Sequence, residues 1–232
     1  MNRNWLIILA LSGAGTAQAQ DSGLSVSVGA RAWYTEWTTF SYFVNPLTGK
    51  NAALTQVSAS NKLVLVPIVS VRYGNFVGSL SVFPSTSFSL ADGDSGTRNE
   101  YDANIGYTAI PGLTLTLGYK KVSQSGSAGV YRPAGLVAGL NAKASLDGPF
   151  SVYGNLGVGR LKTPAGDKID FTADYRLTEV GLAYTLIGSG LPQHWTFTAG
   201  YRIQVMSSKE ALGAQDGRDT TQGFTFGAVA TF

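Results

Sequence analysis

Apolar and polar residues alternate with a period of two through ten stretches of this chain, and that alternation constrains the fold more than any other feature of the sequence. The stretches are Leu24 to Thr38, Lys62 to Tyr73, Phe76 to Leu90, Arg98 to Ala109, Leu113 to Ser123, Leu136 to Leu146, Phe150 to Lys162, Phe171 to Leu186, Trp195 to Met206 and Thr221 to Phe232. Each is long enough to cross a bilayer as a tilted strand, for which roughly 9 to 11 residues suffice. In the first, Leu24, Val26, Val28, Ala30, Ala32 and Tyr34 share one face, and Ser25, Ser27, Gly29, Arg31 and Thr35 share the other. Such a strand needs an apolar medium on one side and a polar one on the other.

A soluble sandwich and a membrane barrel both meet that need, and the connections separate them. Those at Gly74-Asn75, Ile110-Pro111-Gly112 and Asp147-Gly148-Pro149 are tight, whereas Thr39 to Asn61 and Ser207 to Thr220 are long. Ala91 to Thr97 and Thr163 to Asp170 lie between, rich in Gly, Asp, Ser and Lys. Short and long connections alternating along the chain put all the short ones at one end of the sheet, as in transmembrane barrels. The expected fold is therefore all-β, a transmembrane antiparallel up-and-down barrel of about ten strands, with eight as the alternative count. The aromatic residues agree: Tyr73, Phe76, Tyr107, Phe150, Tyr184, Trp195 and Phe232 fall at the short-turn ends, and Tyr34, Phe88, Tyr101, Tyr119 and Tyr175 nearer the other, giving two interfacial belts.

Composition excludes several other classes. The chain has no cysteine, so disulfides, thiolate chemistry and a lipid-anchored cysteine are all ruled out. Arg3, the apolar run Trp5 to Leu11 and the small residues ending at Ala17-Gln18-Ala19 read as a signal peptide over residues 1–19, leaving one domain over 20–232. Loss of Arg3 lowers the formal charge from +3 to about +2, with no basic run to bind nucleic acid.

The last strand, Gly223 to Phe232, carries a terminal aromatic residue with apolar residues at every second position before it. It is similar to the C-terminal assembly signal of bacterial outer-membrane β-barrel proteins, although Ala228 and Ala230 are smaller than the commonest residues there. As a general class the resemblance covers the whole mature chain and points to no one subfamily. It implies a cell outer-membrane protein of a Gram-negative bacterium, with both termini periplasmic and outer-membrane lipid and lipopolysaccharide around the wall. It also implies that the barrel-assembly machinery reads Phe224, Phe226 and Phe232. Barrel enzymes of this kind set a catalytic histidine near the outer surface beside Ser or Asp, and the one histidine here, His194, sits at a short-turn end instead.

Candidate chemistry is sparse. One histidine and no cysteine cannot form an N/S metal site, and Asp92-Gly93-Asp94 and Asp216 to Asp219 read as loop turns rather than cation ligands. No catalytic residue, cofactor or metal is expected. The polar strand faces carry Arg31, Arg72, Glu100, Asp102, Lys120, Lys143, Glu179 and Arg202. The tight turns set Asp102 opposite Lys120 and Glu179 opposite Arg202, the second pair calling for a β-bulge near Leu177-Thr178. These charges form either a salt-bridged plug or a constriction that passes small solutes. Pro67 and Pro84 interrupt neighbouring strands on the apolar parity, where they mark a lateral gap for hydrophobic compounds or an ordinary bulge. Phe40, Tyr42, Phe43, Val44 and Leu47 in the first long connection suit a lid, an adhesive surface or a self-packed loop.

Overall fold

The computed structural model describes residues 23–44, 47–48, 51–91, 93, 95–126, 129–164, 171–209 and 216–232; the expected signal peptide lies outside them. Twelve strand segments run β1 (Leu24–Val44), β2 (Asn51–Ser58), β3 (Lys62–Tyr73), β4 (Phe76–Ser89), β5 (Ser95–Ile110), β6 (Leu113–Gly126), β7 (Gly129–Tyr131), β8 (Ala134–Ser145), β9 (Phe150–Lys162), β10 (Thr172–Ile187), β11 (His194–Ser208) and β12 (Asp216–Thr231). Each segment pairs antiparallel with its neighbours, and β12 returns to β1 over Ser27↔Thr231 to Tyr42↔Asp216, which closes the sheet.

Twelve segments make ten staves, because two staves are interrupted. β2 and β3 both run along β1, from Val44↔Asn51 to Thr38↔Ser58 and from Thr35↔Lys62 to Leu24↔Tyr73, with residues 59–61 as the break. β7 and β8 continue one register along β6, broken at Arg132-Pro133, where the proline has no N–H to give. Closure gives every stave two neighbours and removes the edges that hydrocarbon cannot solvate.

Parity divides the wall as the alternation predicts. Leu24, Val28, Leu65, Leu80, Ile105, Leu117, Leu156, Val180 and Phe226 point outwards and are exposed, and Phe76–Tyr107 and Phe150–Tyr184 ring pairs stand at the short-turn end with centroids 5.3 and 5.0 Å apart. Tyr34, Tyr101 and Tyr119 form an outward belt towards the loop end. Phe88 and Tyr175 do not join it; both point inwards and are buried. The register of β10 with β9 and β11 runs unbroken from Ala173 to Tyr184, so the bulge expected near Leu177-Thr178 is absent, and Tyr175 shares the inner face with Glu179 four residues on.

The long connections are shorter than expected. β1 continues to Val44 and β12 begins at Asp216, paired to each other beyond the outer belt. The ladder there is held by backbone hydrogen bonds, which need no apolar alternation, so the strands continue where the pattern gives no sign of them.

Candidate functional site

The inner faces fill the loop-end half of the barrel. Trp33, Trp37, Ala59, Val64, Val66, Phe83 and Phe88 form one buried apolar cluster, and Val122, Leu161, Ala173, Tyr175 and Met206 form a second. Between them runs a chain of charges. Arg98 binds Glu100 and Asp219, each at 2.7 Å, and Lys120 binds Glu100 at 2.6 Å and Asp102 at 3.0 Å. The indole of Trp37 and the amide of Gln124 both donate to Asp219 at 2.7 Å. A carboxylate buried this deeply is tolerated because every face of it meets a donor or a cation.

A second group lies one step nearer the turns. Arg202 donates to Glu179 at 2.8 Å, the Arg31 guanidinium stands 3.6 Å from the same oxygen, and Tyr153 donates to the other oxygen at 3.1 Å. Six of the eight expected charges thus meet in the lumen, in the pairing that the turns dictate. Arg72 and Lys143 do not: both are exposed at the turn end, where Arg72 donates to Thr108 at 3.1 Å and neither reaches a carboxylate among the described residues. Their strand parity is right, but within about a turn's reach of the strand ends the inner face is the rim. Arg98 and Asp219 went unpredicted, since one stood first in its expected stretch and the other in an expected loop.

Below the charges the lumen is lined by small and polar residues. Side chains there lie flat along the wall across glycines of the next strand: a Cβ on Gly181 would stand 2.7 Å from the Tyr153 ring, and one on Gly118 would stand 2.0 Å from the Asn104 carboxamide oxygen.

The wall itself is incomplete. The β3–β4 ladder runs only from Tyr73↔Phe76 to Ile68↔Ser81, and the two staves meet again at Ala59↔Leu90, where Ser60 N–H donates to the Ser89 carbonyl at 3.1 Å. Between these points lie Lys62 to Pro67 on one side and Val82 to Phe88 on the other, joined by the Lys62 ammonium on the Ser87 carbonyl at 2.6 Å.

Chain direction explains the gap. Val26 and Phe232 exchange both backbone bonds across β1–β12, so odd residues of β3 direct theirs at β4; Thr108 N–H on the Asn75 carbonyl likewise leaves even residues of β4 directed at β3. The next bonded position after Val69↔Leu80 falls on Pro67, and the one after that on Pro84, so successive donors are missing. β4 then bulges between Phe83 and Thr86. Behind the window stand Val64, Val66, Phe83 and Trp33, with Trp33 edge-on to Phe83 at 5.8 Å.

Phe224 and Phe226 face outwards, and the Phe232 backbone bonds Val26 at the seam. His194 begins β11 at the turn end, among no group of three or more potential metal ligands within the described residues. The side chains of residues 40–46, 49–55 and 210–215, which carry most of the lid or adhesive surface and of the second long connection, lie outside the described residues.

No family model and no curated protein matches the chain significantly, but solved structures do. The outer-membrane protease OmpT of Escherichia coli superposes with a TM-score of 0.52 at 11% identity, over 94% of this chain and 99% of that one. The fold is that of a bacterial outer-membrane β-barrel. Neisserial surface protein A, at 14% identity over 91% of this chain and 98% of its own, and OprG of Pseudomonas aeruginosa, at 12% over 91% and 96%, also match, each with a TM-score of 0.35. At these identities the likeness is one of fold, and the outer-membrane barrel's function lies in its own lumen and wall.

Proposed function

We propose that this barrel sits in the outer membrane with both termini periplasmic, conducts no free solute along its axis, and admits small apolar or amphipathic compounds sideways through the β3–β4 window. The observation that carries this reading is the unpaired stretch between Ile68↔Ser81 and Ala59↔Leu90. Unpaired backbone in hydrocarbon costs several kcal/mol per group, so a wall left open at the level of outward-facing Leu63 and Leu65 is an expensive feature without a use. The plug favours the same reading, because buried aromatic and charged side chains occupy the loop-end half of the lumen.

Restoring the two donors tests it. A Pro67→Val, Pro84→Val double variant can extend the β3–β4 ladder, and cells carrying it should take up the apolar dye N-phenylnaphthylamine no faster than cells without the protein, while wild type takes it up severalfold faster. Equal uptake by wild type and variant, or large conductance steps from wild type in planar bilayers, would sink the proposal.

A further inference from the structure

Among the described residues, every charged side chain on the outward parity of the strands stands at the loop end, and the turn-end belt of Tyr73, Phe76, Tyr107, Phe150 and Tyr184 carries none. Four of these charges are exposed cations on one arc of the wall: Lys121 of β6, Arg160 and Lys162 of β9, and Arg176 of β10. Register fixes their spacing. Ala134 of β8 pairs with Lys121 on one side and with Lys162 on the other, so two lysines flank one alanine about 10 Å apart. Arg160 is the next residue on that face of β9, and Arg176 stands across from Val158 on β10. Against them is one outward carboxylate, Asp174, 3.9 Å from Arg160 with side chains 67% and 78% exposed, a contact that solvent screening leaves weak.

The wall below the arc is apolar. Tyr119 precedes Lys121 by two residues on the same face and pairs with Leu136, and Ala138 of β8 pairs with Val158. Tyr119, Leu136 and Val158 are 52%, 62% and 60% exposed. An outward tyrosine near the end of a transmembrane strand marks the level of the lipid headgroups, and Lys121 lies about 7 Å beyond it along the strand. A lysine or arginine there lays its methylenes along the apolar wall and holds its charge among the headgroups. Over four successive staves this places a surplus of positive charge above a strip where Ala134 and Ala138 alternate with Leu136. A headgroup with more than one negative charge fits the cations, and acyl chains fit the strip.

We propose that this arc binds the phosphorylated sugar headgroup of an outer-leaflet glycolipid, lipopolysaccharide, with Lys121 and Lys162 taking one phosphate over Ala134 and Arg160 and Arg176 taking a second. The choice of leaflet rests on the orientation proposed above; the site is independent of the β3–β4 window.

In a nonionic detergent a lipid can reach every face of the barrel. The protein is titrated there with bisphosphorylated lipid A, and bound copies are counted by native mass spectrometry. One saturable copy is expected, with affinity about tenfold weaker in the Lys121→Gln, Lys162→Gln double variant and about tenfold weaker for lipid A stripped of its phosphates. Removing two cations at the opposite rim, Arg72→Gln with Lys143→Gln, should leave affinity unchanged, and unchanged heat-modifiable mobility shows that each variant folds. Inorganic phosphate in large excess, at constant ionic strength, should fail to compete because it has no chains to lie on the wall. Equal affinity of wild type and the Lys121, Lys162 variant, or of lipid A with and without phosphates, overturns the inference. Competition by inorganic phosphate overturns it too, since the arc would then be a site for a free anion. Orientation is read separately: the chain has no cysteine, so Ser207→Cys, exposed at the loop end, offers a single thiol to an impermeant maleimide on intact cells. Labelling is expected. A thiol protected until the cells are lysed, with lipid A still bound in detergent, overturns the orientation and the choice of leaflet and leaves the headgroup site standing.

Discussion

Glu100 is the residue on which the plug turns, since it is buried and holds Arg98 and Lys120 at once. Removing one partner of a buried pair leaves the other charge without compensation, which typically costs about 3–5 kcal/mol. Glu100→Ala is expected to lower the unfolding free energy in urea by that order, because it strands two cations. Arg72→Ala, whose side chain is exposed at the rim, should change it by less than about 0.5 kcal/mol. Similar losses for both would show that the network contributes nothing special. Gly223 is a second such point: its φ is +154°, and a Cβ there would stand 1.9 Å from the Tyr34 carbonyl oxygen, at the seam that closes the barrel. Gly223→Ala should destabilise by roughly 1–3 kcal/mol, a cost of strain rather than of lost contacts.

Among elements, β3 and β4 are the pair whose chemistry contradicts their pattern. Alternation says that they form a full hairpin, and the two prolines say where it must stop. Amide exchange measures this with an internal control. Leu63 and Leu65 direct their N–H groups at β4, where no ladder partner exists, while Val64 and Val66 bond β1 opposite Trp33 and Arg31. Exchange in micelles should therefore alternate along one strand, fast at Leu63 and Leu65 and slow at Val64 and Val66. Uniform protection from Leu63 to Val69 would mean that the wall is closed in solution. The longer staves at the loop end illustrate the converse case: β1 and β12 pair through Tyr42↔Asp216, and the β12 residues there, Asp216 to Thr220, carry no apolar alternation to announce the strand.

For the whole molecule, closure is what makes each of these parts stable. A sheet with ten staves and β12 bonded to β1 resists detergent while its ladder is intact, so the protein should run at a different apparent mass on a gel before and after boiling, from an outer-membrane fraction. A single mobility, or recovery from the soluble periplasm, would exclude the membrane barrel.

The sequence by itself determined the barrel: period-two alternation, tight turns and the alternation of connection lengths set the number of staves, the inner and outer faces and the opposition of Asp102 to Lys120 and of Glu179 to Arg202, because a turn fixes register over the hairpin that it closes. It also placed Pro67 and Pro84, whose missing donors are a local property. What only the tertiary structure decided is everything that crosses the lumen. Arg98 meets Asp219, 121 residues apart, and Arg202 meets Trp33 over the glycines of an intervening stave, contacts created by closure that no period or turn encodes. The inward turn of Tyr175 belongs to the same category. Hairpin register is a short-range consequence of backbone geometry, whereas the interior of a barrel depends on which distant faces closure brings together.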